Sequence, residues 1–249
     1  MTAAEIATAA GMFLVAVLYS FVGHGGASGY LAVLSLTTLV GAAISATALA
    51  LNLVVAGISF IAFAQGRHFS WPLTWPYLVL AVPCSYFGSS IELAPAQYSG
   101  VLGAVLAYAA VMLFWHSAQQ EDVHAPPFVA ALASGAAIGV VSGMVGVGGG
   151  IFLSPLILLL RWGSAKATAA TSAVFIVANS LAGLGEKYSS SSLELSPQFP
   201  MLAVLCAAGA LVGSRLGARK APPVWIRIVL GLVLCTAAVK HGFVFFESL

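Results

Sequence analysis

The sequence predicts an all-α polytopic membrane protein, with about eight transmembrane helices in two four-helix repeats and with glycine-broken half-helices. Three observations lead to this fold class. First, 61% of the 249 residues are hydrophobic and 6% are charged, against about 45–50% and about 25% in soluble domains. Second, long apolar runs follow one another along the chain. Third, similar motifs recur at a nearly constant spacing.

The apolar runs predict the individual helices. A transmembrane helix needs about 20 mostly apolar residues to cross a hydrocarbon core about 30 Å thick. Two apolar pieces, 30–40 and 151–162, are too short to cross alone. Each follows a glycine cluster, the first at residues 24–29 and the second at residues 146–150. We expect both to be half-helices, the second starting at Pro155, since serine before proline is typical of a helix start. The runs long enough to cross are 6–22, 43–65, 72–91, 95–115, 127–145, 167–185, 198–214 and 224–244.

Motifs of the first half recur in the second half. Gly-x-Gly-Gly occurs at 23–26 and again at 146–149, a shift of 123 residues. Ala-Thr occurs at 46–47 and again at 170–171, a shift of 124. Matches in the same order at a nearly constant shift predict a duplicated unit.

We therefore predict a first transmembrane repeat at 1–116, a linker at 117–127 and a second transmembrane repeat at 128–249. Four crossings per unit would make the repeats parallel, and five would make them inverted. The sequence leaves that choice open.

The positions of lysine and arginine predict the orientation, because these residues predominate in cytoplasmic loops. Eight crossings place six cations on one side and Arg67, Lys187 and Lys240 on the other. Ten crossings would move Arg67 to the majority, giving seven against two. The lengths of the segments favour eight. Either count predicts a protein of the inner membrane with both termini outside the cytoplasm. The majority group is Arg161, Lys166, Arg215, Arg219, Lys220 and Arg227.

The two glycine clusters are the expected functional site. Irregular backbone at membrane depth is tolerated only where it is buried in protein or lines a wet cavity. The first N–H groups of a helix and its positive dipole end attract anions, and glycine lets a ligand approach the backbone closely. Two such helix starts predict an anion site near the midplane. The alternative is helix packing through small residues, which we expect at Gly139, Gly143, Gly209, Gly213 and Gly217.

Polar residues within the apolar runs complete the predicted site. An asparagine in hydrocarbon needs a partner, which is either a ligand or another helix. His24 is the one ionisable side chain in either cluster, and its alternative role is a hydrogen bond to a neighbouring carbonyl. The predicted substrate-binding residues are His24, Gly25, Gly26, Thr47, Asn52, Gly148, Gly149, Gly150, Thr171, Ser172 and Asn179.

The second cluster resembles the signature of a known family. The residues Gly-Val-Gly-Gly-Gly-Ile-Phe-Leu-Ser-Pro-Leu at 146–156, followed by Lys-Ala-Thr-Ala-Ala-Thr-Ser at 166–172, are similar to those of the TauE/SafE sulfite and organosulfonate exporters. The first half carries a degenerate copy, with Ala27 at the place of the third glycine and Ala32 at that of the proline. The resemblance implies a small permease for sulfite, sulfonate or a related organic anion.

The predicted function is therefore a secondary transporter for a small anion. Its expected partners are that anion and the lipid bilayer. No nucleic acid is expected because the net charge is only +2. The sequence leaves open whether the protein forms a homo-oligomer. We expect no cofactor, no metal site and no catalytic residue, since the chain has no H-E-x-x-H or G-x-S-x-G motif. The alternatives are a membrane-embedded enzyme and a passive anion channel.

Overall fold

The computed structural model describes residues 3–34, 42–91 and 123–247, together with positions 100, 103, 107 and 111. The predicted span 95–115 and the predicted linker 117–127 lie largely outside these residues. Every regular element in the described ranges is helical. The elements are α1 (Ala3–Phe21), α2 (Ala27–Leu34), α3 (Ala42–Gln65), α4 (Trp71–Ser89), α5 (Phe128–Val145), α6 (Gly150–Leu159), α7 (Ala165–Ser189), α8 (Phe199–Arg215), a π-helical turn (Leu216–Lys220) and α9 (Pro223–Glu247).

Local sequence signals explain where these helices begin and end. A proline lies in the first turn of both α4 and α8, where a missing N–H has no cost. The hydroxyl of Ser164 accepts a hydrogen bond from Ala167 N and caps α7. Gly146 ends α5 in the left-handed conformation, with φ of 69°, which glycine adopts without strain. The seven long helices therefore lie within a few residues of the predicted runs.

The half-helix α6 starts five residues before the predicted position. Its first residue is Gly150, and Pro155 lies inside the helix. The glycine at the N-cap position, Gly149, has a φ of 79° and lets the chain turn directly into a helix. Proline removes one backbone donor from the helix, but transmembrane helices tolerate such a loss when their neighbours pack against them. Pro155 is buried in this way.

Four described helices are long and apolar enough to cross a membrane by length and composition, namely α3, α5, α7 and α8 with the π-helical turn. The described parts of α1 and α9 and the half-helix α6 contain shorter apolar stretches. The described chain is thus a multi-pass bundle of apolar helices.

Glycines pack α1 and α8 side by side in the same direction. A Cβ atom added to Gly209, Gly213 or Gly217 would meet the backbone carbonyl of Phe13, Val17 or Phe21, respectively. The order of these contacts rises along both helices, so α1 and α8 are parallel. In α5, Gly135, Gly139 and Gly143 meet Tyr77, Ala81 and Ser85 of α4 in the same manner. The predicted role of these small residues in close packing is confirmed.

The helix α3 is also parallel to α8. Near their first turns, the hydroxyl of Thr47 accepts a hydrogen bond from Ser196 N at 2.9 Å. Beyond their last turns, His68 Nε2 lies 3.1 Å from Ala218 O. We call the end of the bundle that contains Ala218 the lower end. Both α1 and α3 therefore run down toward it.

Because α1 and α3 are parallel, the chain must rise again between them, and α2 provides this return. The position of a Cβ on Gly29 lies 2.5 Å from Val15, and that of Gly11 lies 3.5 Å from Val33. The falling order of these contacts makes α2 antiparallel to α1. A chain that crossed only with its eight long helices would instead leave α1 and α3 antiparallel. The helix directions therefore do not agree with the predicted four crossings per repeat.

The second half of the chain runs in the opposite directions. The α7 hydroxyl of Thr171 lies 3.0 Å from that of Thr74, and Ser85 donates to Asn179 O, so α7 is parallel to α4. Lys166 at the start of α7 donates to Ala218 O at the lower end. Thus α4, α5 and α7 rise. The half-helix α6 descends. A Cβ on Gly150 would meet Ile176, and Ser154 further along α6 bonds to Ser172, and this falling order makes α6 antiparallel to α7.

Candidate functional site

The two glycine clusters meet each other inside the bundle. Residues 22–28 and 145–151 are all buried. His24 Nε2 of the first cluster lies 2.9 Å from Gly150 O of the second. A Cβ on Gly25 would meet Asn52, and one on Gly150 would meet Ile176. Since these two partners lie near the middle of α3 and α7, both helix breaks are located halfway along the long helices.

The second cluster combines a left-handed loop with the start of α6. Gly148 and Gly149 both have positive φ, at 78° and 79°. The N–H groups of Phe152 and Leu153 already bond to Gly149 O. Among the described residues, the N–H groups of Gly150 and Ile151 have no acceptor. Two donors at the positive end of a helix dipole are therefore unused.

The amide of Asn52 joins the two clusters. Its Oδ1 atom accepts a hydrogen bond from Ala27 N at 2.9 Å and so caps α2. Its Nδ2 atom donates to Val147 O at 3.0 Å. Both ends of the amide are thus bonded to backbone, one end to each cluster. This geometry makes Asn52 a positioning residue for both clusters.

A line of polar side chains joins the first cluster to α6 and α7. The ring nitrogens of His24 lie 3.1 Å from Val22 O and 2.9 Å from Gly150 O. The hydroxyl of Ser154 lies 3.2 Å from His24 Nε2 and 2.7 Å from the hydroxyl of Ser172. A neutral imidazole has one N–H and a protonated one has two. A neutral His24 can therefore donate to only one of the two carbonyls, and it joins the two clusters through the contact of Nε2 with Gly150 O.

The two predicted threonines make bonds between helices. Thr47 accepts from Ser196 N, and Thr171 pairs with Thr74 of α4. In the described residues both hydroxyls therefore bond to groups outside the two glycine clusters. The structure thus brings together His24, Gly25, Gly26, Asn52, Gly148, Gly149, Gly150 and Ser172.

Asn179 has a different environment from Asn52. Its side chain is 1% exposed, and neither Nδ2 nor Oδ1 has a hydrogen-bond partner. The hydroxyls of Ser142 and Ser180 are equally buried and also unpartnered. Sequence reasoning missed both serines, because a serine in an apolar run usually bonds to its own helix. It also missed Ser154, although this residue belongs to the conspicuous Gly-Gly-Gly-Ile-Phe-Leu-Ser-Pro motif.

The described part of the site contains no formal charge. The one buried carboxylate among the described residues is Glu186, near the end of α7, and no lysine or arginine is buried there. No group of three His, Cys, Asp or Glu side chains in the described ranges could hold a metal ion. The available interactions are hydrogen bonds from N–H and O–H groups and the dipole of α6.

Comparisons with known proteins identify the family of the chain. No solved structure matches the chain. The chain is 38% identical over 246 residues to the "Probable membrane transporter protein y4hK" of Sinorhizobium fredii (strain NBRC 101917 / NGR234). The aligned residues cover 96% of this chain and 99% of that protein. The family model described as "Sulfite exporter TauE/SafE" matches residues 8–241. The chain therefore belongs to the TauE/SafE sulfite exporter family of membrane transporters.

Proposed function

We propose that the protein is a secondary transporter that moves a small anion, either sulfite or a sulfonate, across the cytoplasmic membrane. The observation that carries this proposal is the meeting of the two glycine clusters halfway along α3 and α7. A half-helix starts at each cluster, and the first two N–H groups of α6 have no acceptor among the described residues. An anion site at that depth can open to either side of the membrane in turn.

We further propose that the chain makes ten passes in two inverted units of five segments, each with one half-helix. The helix directions support this proposal, because each of α5 to α8 runs opposite to the matching segment of α1 to α4. The half-helix α6 has 10 residues, or about 15 Å at 1.5 Å per residue, which is half of the hydrocarbon core. The irregular chain before each half-helix spans the rest of the hydrocarbon core. The division at residues 116 and 128 is kept as the boundary between the units.

The same helix directions support a proposed orientation. The lower end carries Arg67, Arg161, Lys166, Arg215, Arg219, Lys220 and Arg227, whereas Lys187 and Lys240 belong to the upper end. Seven cations against two favour a cytoplasmic lower end. Both termini then lie outside the cytoplasm.

Flux into proteoliposomes tests the transport function. We expect radiolabelled sulfite to enter vesicles that hold unlabelled sulfite, with a rate that saturates as sulfite concentration rises. A saturable counterflow requires a carrier, because a passive channel does not couple the two fluxes. An unsaturated anion conductance would contradict the carrier and support a channel. Vesicles without protein provide the control for leakage.

A further inference from the structure

Two serines of the described helices leave their hydroxyls unbonded in the interior. A buried helical serine ordinarily donates to the carbonyl four residues earlier. Ser59 and Ser214 do so, at 2.8 and 2.6 Å, and so does the half-buried Ser134, at 2.7 Å. Ser142 and Ser180 do not, although they are 1% and 0% exposed. A buried hydroxyl without a hydrogen bond lowers the stability of the protein, so each of these hydroxyls requires a hydrogen-bond partner.

Both hydroxyls are directed at the loop that starts α6. Ser142 Oγ, from α5, lies 3.0 Å from the place where a Cβ of Gly149 would be. Ser180 Oγ, from α7, lies 3.0 Å from the corresponding place at Gly148. Asn179 lies one turn after Phe175, whose ring is 2.7 Å from the place of a Cβ on Gly149, and its amide has both ends unpartnered. Donors from α5 and α7 therefore accompany the two unused N–H groups of α6.

The first glycine cluster does not offer the same set. The first N–H of α2, on Ala27, is bonded to Asn52 Oδ1. The hydroxyl of Ser28 is bonded to that of Tyr19 at 2.8 Å. The ring of Tyr30 covers Gly26, with Cζ 2.8 Å from the position of an added Cβ. In the described residues each helix start leaves two N–H groups without an acceptor, those of Ser28 and Gly29 in α2 and those of Gly150 and Ile151 in α6. The start of α6 therefore differs in its free side-chain donors.

We infer that Ser142, Asn179 and Ser180 bind the substrate anion, together with the N–H groups of Gly150 and Ile151. This inference rests on the proposed transport function and names the ligands of its site. Donors that come from three elements suit an anion with several oxygen atoms, such as sulfite or a sulfonate, better than a single-centre halide. All of these donors are neutral, so hydrogen bonds and the α6 dipole replace the hydration of the anion.

Alanine variants with matched controls test this assignment. The test variants are Ser142→Ala, Ser180→Ala and the double variant, and the controls are Ser59→Ala and Ser134→Ala, whose hydroxyls bond within their own helices. Binding is measured on purified protein by thermal shift with sulfite, methanesulfonate and chloride, and KM is measured from sulfite counterflow. We expect the double variant to raise Kd and KM for sulfite by about tenfold or more, the usual effect of losing bonds to a charged group.

Stability without an anion separates a ligand contact from a structural bond. Ser142→Ala and Ser180→Ala remove no bond within the protein, so their Tm in chloride-free buffer should equal or exceed that of the wild type. The controls lose a bond within the helix, and they should bind sulfite with wild-type affinity. A stronger effect of the double variant on chloride than on sulfite and methanesulfonate would contradict an oxyanion site.

The remaining outcomes distinguish a failure of the serine assignment from a failure of the transport proposal. If the wild type transports sulfite and the double variant binds it equally well, the assignment of the serines is wrong and the transport function stands. If the test variants melt well below the controls without an anion, the hydroxyls are structural and the assignment is also wrong. A wild type that neither binds nor transports sulfite or methanesulfonate would overturn the transport proposal and the site with it.

Discussion

At the scale of single residues, burial and bonding divide the predicted site into two groups. Asn52 has both ends of its amide bonded to backbone at 2.9 and 3.0 Å, whereas Asn179 has neither end bonded. The sequence presents both as asparagines in apolar runs and cannot distinguish them. The duplication does not help either, because a shift of 124 residues pairs Asn52 with Ile176. Only the groups that surround each amide decide which one is free for a ligand.

His24 allows a direct test at this scale. Its ring lies within hydrogen-bond distance of the carbonyls of Val22 and Gly150, so His24→Ala removes a donor from buried acceptors. We expect the variant to lose about 1–3 kcal/mol of stability, measured as a lower Tm of the purified protein. His24→Gln keeps an N–H donor and should recover part of the loss. If His24→Ala melts like the wild type and only the KM for sulfite rises, the histidine is a substrate contact instead of a tie between the clusters.

At the scale of helices, each of the glycine-packed pairs α1–α8 and α4–α5 joins a helix of the first half of the chain to a helix of the second half. Each half contributes its first helix to a pair with the third long helix of the other half. The carbonyls of one helix lie where the Cβ atoms of the other would be. Such close approach lets dispersion contacts hold helices together in lipid, where no hydrophobic effect drives their association. The two halves are therefore interlocked and do not form separate bundles.

Two glycine-to-alanine changes test this packing. A Cβ on Gly213 would meet the backbone carbonyl of Val17 and the hydroxyl of Ser20, whereas one on Gly57 would have nothing within 4 Å. We expect Gly213→Ala to lower the Tm markedly, because a helix backbone cannot move without separating the pair. Gly57→Ala should be neutral or stabilising by about 0.5–1 kcal/mol, since alanine favours the helix. Equal melting temperatures for the two variants would contradict the role of Gly213 in packing.

At the scale of the whole molecule, the directions of the helices support the proposed ten crossings over eight. The contacts of α3 with α8 place His68 and Lys166 on the same carbonyl, that of Ala218. Arg67 therefore lies at the same end of the bundle as Lys166. Arg67 is one of the three cations that eight crossings assign to the outer side, and this contact places it at the opposite end. It leaves a more asymmetric distribution of charge between the two ends.

Cysteine labelling in cells tests this topology. In a variant without the three native cysteines, single cysteines are introduced as Gln65→Cys, Arg219→Cys and Ser190→Cys, all at exposed positions. We expect an impermeant maleimide to label Ser190→Cys in intact cells, and the other two only after the membrane is permeabilised. Eight crossings predict instead that Gln65→Cys is labelled together with Ser190→Cys. Labelling of Gln65→Cys in intact cells would therefore contradict the ten passes.

The sequence by itself determined the membrane class, the bounds of the long helices and the two helix breaks at the glycine clusters. These features are local, because a run of apolar side chains or a glycine acts within its own segment. The start of α6 at Gly150 is an exception, since packing keeps Pro155 inside the helix. Tertiary structure alone decided that the short helices return the chain, that Asn52 is bonded and that Ser142 and Ser180 are not. Each of these depends on the groups that face the residue from another helix, and the sequence of one segment does not specify those groups.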